Sequence, residues 1–206
     1  MIEKLLLGSA SAIVFVISHL SYAGIVLLMT IESCNIPMPS EVILPAAGFL
    51  AYQGQMNIFL AALAGAIGCI IGSLVSYAIG YYAGRPILEK YGKYILLTKD
   101  DLDLGQRMFA KYGNAIAFFS RLLPIIRTFI SIPAGIEKMD LKRFVAYSFA
   151  GSFLWSLLLV FVGYKIGDHQ QILMSFFHKF NILIAVVIVL ALAYYIYTHV
   201  KKLRAQ

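Results

Sequence analysis

No charged side chain occurs between Val42 and Gly84. That run far exceeds the roughly 20 apolar residues that carry one helix across a bilayer, and a water-soluble fold has too little interior to hide it. Three more uncharged stretches, Leu5–Ile31, Phe144–Tyr164 and Phe180–Val200, also reach membrane length. With 61% hydrophobic and 13% charged residues and a mean hydropathy of +0.83, the chain's 206 residues read as one integral, polytopic, all-α membrane domain.

The first apolar stretch follows Lys4, as in a secretory leader, but its small-residue cleavage site is poor. Residues 1–21 therefore read as a retained N-terminal helix, either spanning the bilayer or lying at its interface. The net charge of +7 comes from residues that flank apolar segments and form no single stripe, which points to the positive-inside bias of membrane loops and not to nucleic acid. Six Lys or Arg occur from Arg85 to Lys111, and Lys201, Lys202 and Arg204 follow His199; both regions are expected in the cytoplasm. Cys34 and Cys69 sit in different apolar segments and read as free, packed thiols. His19, His169, His178 and His199 fall near expected interfaces or ends, none at metal-type spacing from Cys or an acid. Neither a metal nor a cofactor is expected.

Two stretches share one layout. The first runs from Tyr22-Ala23-Gly24 through apolar residues to Glu32, breaks at Pro37 and Pro39, passes Glu41 and leaves through Pro45-Ala46-Ala47-Gly48. The second starts at Tyr112-Gly113, reaches Arg121, breaks at Pro124, passes Arg127 and leaves through Pro133-Ala134-Gly135. At about 1.5 Å per residue, Gly113–Arg121 covers only about half of a hydrocarbon core roughly 30 Å thick. Pro124 then removes a helical donor where a reversal is needed. Each stretch reads as a re-entrant hairpin, with a kinked spanning helix over Tyr112–Ile136 as the alternative for the second.

Counting back from a cytoplasmic tail, hairpin 22–52 opens to the outside and hairpin 112–136 to the cytoplasm. The expected order is the helix at 1–21, the first hairpin, a transmembrane helix at 57–84, cytoplasmic surface helices at 85–111, the second hairpin, and transmembrane helices at 144–164 and 180–200. Within 85–111, Thr98 is expected to cap a helix with Asp101 at its third position. Inverted repeats with broken helices meeting near the midplane are a recurrent transporter architecture. The 57–84 helix carries Ala64, Gly68, Gly72, Ser76, Gly80 and Gly84 at every fourth position, a row that admits another helix backbone and is expected to hold one or both hairpins.

Glu32, Glu41, Arg121 and Arg127 are the ionisable side chains expected at membrane depth. Each costs about 2.5–3.5 kcal/mol on insertion scales, so such residues need partners and mark function. Two Glu–Arg pairs locking the hairpins together would satisfy them structurally. Arginine at both positions of the second hairpin also suits an anion, because guanidinium stays charged and forks onto phosphate oxygens. Burial disfavours an ionised carboxylate and a neighbouring arginine favours it, so Glu32 and Glu41 are candidate proton carriers. Substrate and proton would then compete for Arg121 and Arg127. Pro37, Pro39, Pro45, Gly48, Pro124, Pro133 and Gly135 shape the hairpins, with Thr128 and Ser131 as minor hydroxyl donors beside Arg127.

The set Glu32…Pro37-Met38-Pro39-Ser40-Glu41…Pro45-Ala46-Ala47-Gly48, with Phe119-Ser120-Arg121…Pro124…Arg127-Thr128…Pro133-Ala134-Gly135…Met139, resembles the DedA family of membrane proteins over roughly Tyr22–Gly167. The resemblance implies inverted re-entrant hairpins, functional acids at Glu32 and Glu41, and functional arginines at Arg121 and Arg127. Many members carry Pro-Gly-Asp where this chain has Pro39-Ser40-Glu41, which keeps the charge and leaves the subfamily open. The resemblance also implies a role in returning undecaprenyl phosphate, the cell-wall lipid carrier, across the bacterial cytoplasmic membrane; other members are linked to phosphatidylethanolamine or to proton-dependent homeostasis.

Together these features predict a proton-coupled lipid-phosphate translocase, multi-pass in the bacterial cytoplasmic membrane with its C-terminus inside. Its partner would be a polyprenyl phosphate or another anionic lipid. The alternatives are a less selective phospholipid flippase or scramblase, and a noncatalytic homeostasis or assembly factor. A lipid-phosphate phosphatase fits less well, since no His or Cys stands beside the arginines in a nucleophile arrangement.

Overall fold

The computed structural model describes residues 2–34, 39–91, 99–123 and 126–167. Pro37, Pro124, Thr98 and the expected helix at 180–200 lie outside them. The described residues form helices: α1 (Ile2–Ser33), α2 (Ser40–Tyr52), α3 (Ile58–Tyr91), α4 (Lys99–Tyr112), the short α5 (Ile116–Phe119), α6 (Ile126–Phe129) and α7 (Ser131–Ile136), and α8 (Leu141–Ile166), with tight 3-10 turns at Gly113–Ala115 and Ser120–Leu122. Three stretches among them, Ile13–Ser33, Ile58–Pro86 and Leu141–Ile166, are long and apolar enough to cross a membrane.

The first of these is not one straight rod. Ser21 leaves helical geometry at φ 53, ψ −131, and a Cβ on Gly24 would press on the carbonyl of Val16. The N-terminal part of α1 thus doubles back, burying Ile13 and Ile17 with Ile25 and Leu28. The remaining arm, Tyr22–Ser33, and the antiparallel α2 each rise about 18–20 Å, well short of a hydrocarbon core. Pro39 caps α2 in extended geometry. At the far end the Tyr22 hydroxyl accepts from the Asn57 amide at 2.8 Å, so the chain has returned to the level at which the pair began.

Asn57 then starts α3, its Oδ1 accepting from the amides of Phe59 (2.9 Å) and Leu60 (3.2 Å). The helix breaks at Gly84, whose φ of 65 lies in a region that a residue with a Cβ rarely enters. Beyond it, Arg85 pairs with Asp103 of α4. Asp140 caps α8 by accepting from the Arg143 amide at 3.0 Å, so this helix includes Leu141–Arg143 and begins before the expected Phe144.

Packing follows a reciprocal rule. The small-residue row of α3 receives α1 in parallel, with Gly68 under the Val26 carbonyl and Gly72 under that of Thr30. Further along, the same row receives α7. Gly135 of α7 faces the Tyr77 carbonyl of α3, and Gly80 of α3 faces the Ile132 carbonyl of α7. The first pair repeats this on α8, where Gly48 of α2 faces the Val160 carbonyl and Gly163 faces that of Pro45. α8 also receives the arm of the second pair, Gly151 lying under Phe118 and Arg121. The outgoing arm of each pair therefore sits on the long helix that follows the other pair. Register runs through the glycines: Gly48 matches Gly135, and Pro45 matches Ile132 and not Pro133, which instead packs on Gly105 of α4.

Backbone carbonyls cannot yield as a side-chain tip can. Gly48→Val and Gly135→Val are each expected to destabilise the folded protein by about 2–3 kcal/mol or more, read as a lowered thermal midpoint in detergent. Ala150→Val, on the exposed face of α8, is expected to leave it unchanged.

Candidate functional site

The C-terminal turn of α1, the N-terminus of α2 and the broken middle of the second helix pair converge between α3 and α8. Glu32 and Ser33 enter from α1, Ser40 and Glu41 from α2, Arg121 from the 3-10 turn after α5, Arg127 from α6, and Ser131 from α7. Glu32, Ser40, Arg121, Arg127 and Ser131 are all buried.

Arg127 joins the two pairs. Its Nη2 forms an ion pair with Glu32 Oε1 and also donates to Ser40 Oγ. Ser40 Oγ in turn donates to Glu41 Oε2 at 3.1 Å, and the guanidinium carbon lies 5.8 Å from the centre of the Trp155 ring, within cation–π range. Glu41 is half-buried. The result is a continuous polar chain, Glu32–Arg127–Ser40–Glu41, in which Glu32 Oε2 has no hydrogen-bond partner among the described residues.

Arg121 does something different. It meets no carboxylate among the described residues. Its Nη1 donates to the Arg127 carbonyl at 2.5 Å, and its Nη2 donates to Ser131 Oγ at 2.9 Å and Ser148 Oγ at 3.2 Å. The Phe144 ring lies 5.8 Å from its guanidinium carbon, and its Nε is buried without a partner among the described residues. Arg121 thus staples the two arms of its own pair to each other and to α8, with neutral oxygens standing where a counter-ion would.

Of the two Glu–Arg pairs that would lock the hairpins, one forms, Glu32–Arg127. Glu41 takes Ser40, not Arg121. Pro39 caps α2 and Pro45 lies within it, Gly48 and Gly135 mark the close contacts, Pro133 lies in the first turn of α7, and Thr128 is half-buried beside Arg127. Cys34 and Cys69 are free.

Sequence reasoning missed Ser40, Ser148 and Trp155. Ser40 stands inside the quoted Pro39-Ser40-Glu41 run but carries no charge to draw notice. For Ser148 a usable signal existed: Ser148, Ser152 and Ser156 recur every fourth residue along α8, and all three are buried, a hydroxyl row on one helical face. Trp155 and Ser156 each keep a buried polar atom without a partner among the described residues, as does Ser73 of α3.

Chemically, the centre presents one arginine whose remaining nitrogens, Nε and Nη1, take no protein partner among the described residues, next to a carboxylate with a free oxygen. Such a site can exchange one anion for another. Removing one member of the buried ion pair strands the other's charge. Glu32→Gln and Arg127→Gln are each expected to cost about 3–5 kcal/mol. The double variant is expected to cost less than the two singles added together, a coupling that a double-mutant cycle of thermal or chemical denaturation reads directly.

The VTT domain family model matches residues 38–165. The chain is 37% identical over 178 residues to "Undecaprenyl phosphate transporter A" of Bacillus subtilis (strain 168), a match covering 84% of this chain and 88% of that protein. It is 32% identical over 195 residues to an "Alkaline phosphatase-like protein" of Lactococcus lactis subsp. lactis (strain IL1403), covering 92% and 91%. "Protein DedA" of Escherichia coli (strain K12) is 30% identical over 132 residues, covering 63% of this chain and 60% of that one. No solved structure matches the chain.

Proposed function

We propose that this chain, which belongs to the DedA family of VTT-domain membrane proteins, carries a lipid phosphate across the bacterial cytoplasmic membrane, with undecaprenyl phosphate as its substrate and protons as its coupling ion. The observation that carries this reading is Arg127, a buried guanidinium held by one carboxylate through Nη2, its other nitrogens taking no partner among the described residues.

In this mechanism the two short-armed pairs are re-entrant hairpins opening to opposite faces of the membrane. Their arms are too short to span, and the reciprocal glycine packing supports two like units facing opposite ways. Broken backbone at that depth survives because α3 and α8 enclose it. The headgroup phosphate enters the centre and takes the Arg127 donors now held by the Glu32 carboxylate. Glu32, deprived of its cation in a site of low dielectric, takes up a proton. One negative charge and one proton thus enter together, and the charge of the buried centre does not change. Release reverses the exchange, the proton leaving by way of Ser40 and the half-buried Glu41. Arg121 holds the second hairpin in the shape that presents Arg127, and its unpartnered Nε offers a further donor. The polyprenyl tail remains in lipid throughout.

Purified protein in vesicles is expected to move undecaprenyl phosphate, with Arg127→Ala slowing it at least about a hundredfold and Glu41→Gln abolishing its response to a proton gradient. Full transport by a folded Arg127→Ala variant refutes the carrier reading. Transport indifferent to both the gradient and Glu41→Gln removes the proton from it. The phosphatase-like name borne by some relatives is tested in the same vesicles: no inorganic phosphate is expected to be released.

A further inference from the structure

A second polar feature lies away from the Glu32–Arg127 centre. α7 ends in a turn in which the Lys138 amide donates to the Gly135 carbonyl and the Met139 amide to that of Ala134, both at 3.0 Å. These are the paired bonds of a helix that reverses through a left-handed residue, a position usually held by glycine. Here it is held by Lys138, at φ 51. A Cβ in that conformation costs backbone energy, and such residues persist where their surroundings hold them. Tyr77 supplies the hold, its hydroxyl donating to the Met139 carbonyl at 2.5 Å.

This turn and the end of α3 enclose an open cavity of about 500 Å³, whose walls include Tyr77, Tyr81, Tyr82, Lys138 and Asp140. Lys138 is exposed and makes no ion pair among the described residues; its Nζ stands 6.0 Å from the centre of the Tyr81 ring. Asp140, the acid in the wall, already accepts from the Arg143 amide as the cap of α8. In the sequence Glu137 precedes Lys138 and Lys142 and Arg143 follow Asp140, all exposed, so the segment carries a net positive charge of one. Tyr81 is one turn before Arg85, in the region that the positive-inside bias assigns to the cytoplasm. Tyrosine and lysine at that depth match the headgroup layer of a bilayer, with aromatic rings at the interface and cations attracted to anionic lipid. A volume of about 500 Å³ accommodates a phosphate group with several waters of about 30 Å³ each.

We propose that this groove is a headgroup site for a phosphate-bearing anionic lipid of the cytoplasmic leaflet, with Lys138 on the phosphate and the tail left in the bilayer. The choice of ligand rests on the lipid-phosphate reading above; the site does not depend on Arg127. Lys138→Gly separates binding from folding, because glycine suits the left-handed backbone while removing the cation.

The test uses the full chain in nanodiscs and a short-chain lipid phosphate carrying a diazirine, with labelled peptides mapped by mass spectrometry. The expected result is labelling of the Tyr81–Tyr82 and Lys138–Leu141 peptides that drops about tenfold in Lys138→Gly. In that variant the thermal midpoint is not lowered. Labelling is expected to persist in Lys142→Gln and Arg127→Ala, and millimolar inorganic phosphate is expected not to protect. Equal labelling in Lys138→Gly overturns the proposal. So does equal labelling by a zwitterionic analogue, or protection by inorganic phosphate, which would make the site one for the free ion. Transport by Arg127→Ala is scored separately, so the groove and the carrier reading fail by different measurements.

Discussion

The ion pair between Arg127 and Glu32 is what the rest of the structure is arranged around. Neither charge can be left alone at that depth, and each comes from a different helix pair. Their attraction is therefore also a tether between two parts of the chain that no short connection joins. Ser40 shares the same Arg127 nitrogen, so the start of α2 is drawn to the centre along with the end of α1. A buried pair of this kind adds little net stability against an apolar replacement. In the proposed carrier its worth lies in being exchangeable, since a carboxylate that holds a guanidinium is there replaced by the lipid phosphate.

The tether works only because the backbones come close enough for side chains of ordinary length to meet. Gly68 and Gly72 bring α1 onto α3, Gly80 and Gly135 bring α7 onto the same helix, and Gly48 and Gly163 do the equivalent between α2 and α8. At each contact the partner is a carbonyl, so a methyl group would force the helices apart. Close approach of this sort is how helices gain packing energy where lipid offers no hydrophobic contrast. Arg121 adds a rigid element within the second pair by binding three oxygens from three segments.

Much of this was readable from residue type and spacing. The charge-free runs marked the apolar helices, the fourth-residue row in α3 announced close packing, and four charges in uncharged surroundings pointed to the centre. What spacing could not assign was which charge meets which. Arg121 and Arg127 look equivalent in the sequence, yet one takes neutral oxygens and the other a carboxylate. That division is set by where the broken turn around them points, and broken backbone has no periodicity to read. The two exits, Pro45-Ala46-Ala47-Gly48 and Pro133-Ala134-Gly135, correspond through their glycines and not their prolines: the contact surface selects glycine, while Pro45 and Pro133 answer to different neighbours. Ser40 and Ser148 were passed over because a hydroxyl in an apolar helix looks like filler until a guanidinium is found beside it.

The exchange of arms between the two halves bears on how such a chain can be built. Since α2 lies on α8 and α7 on α3, neither half covers the glycine of its own outgoing arm, and a half on its own would leave that strip of bare backbone facing lipid. The first half, once inserted, must wait for the second before its outgoing arm has a seat. Completion of the fold is thus tied to synthesis of α8, and two separately made halves would be obliged to find one another in the membrane before either outgoing arm is seated.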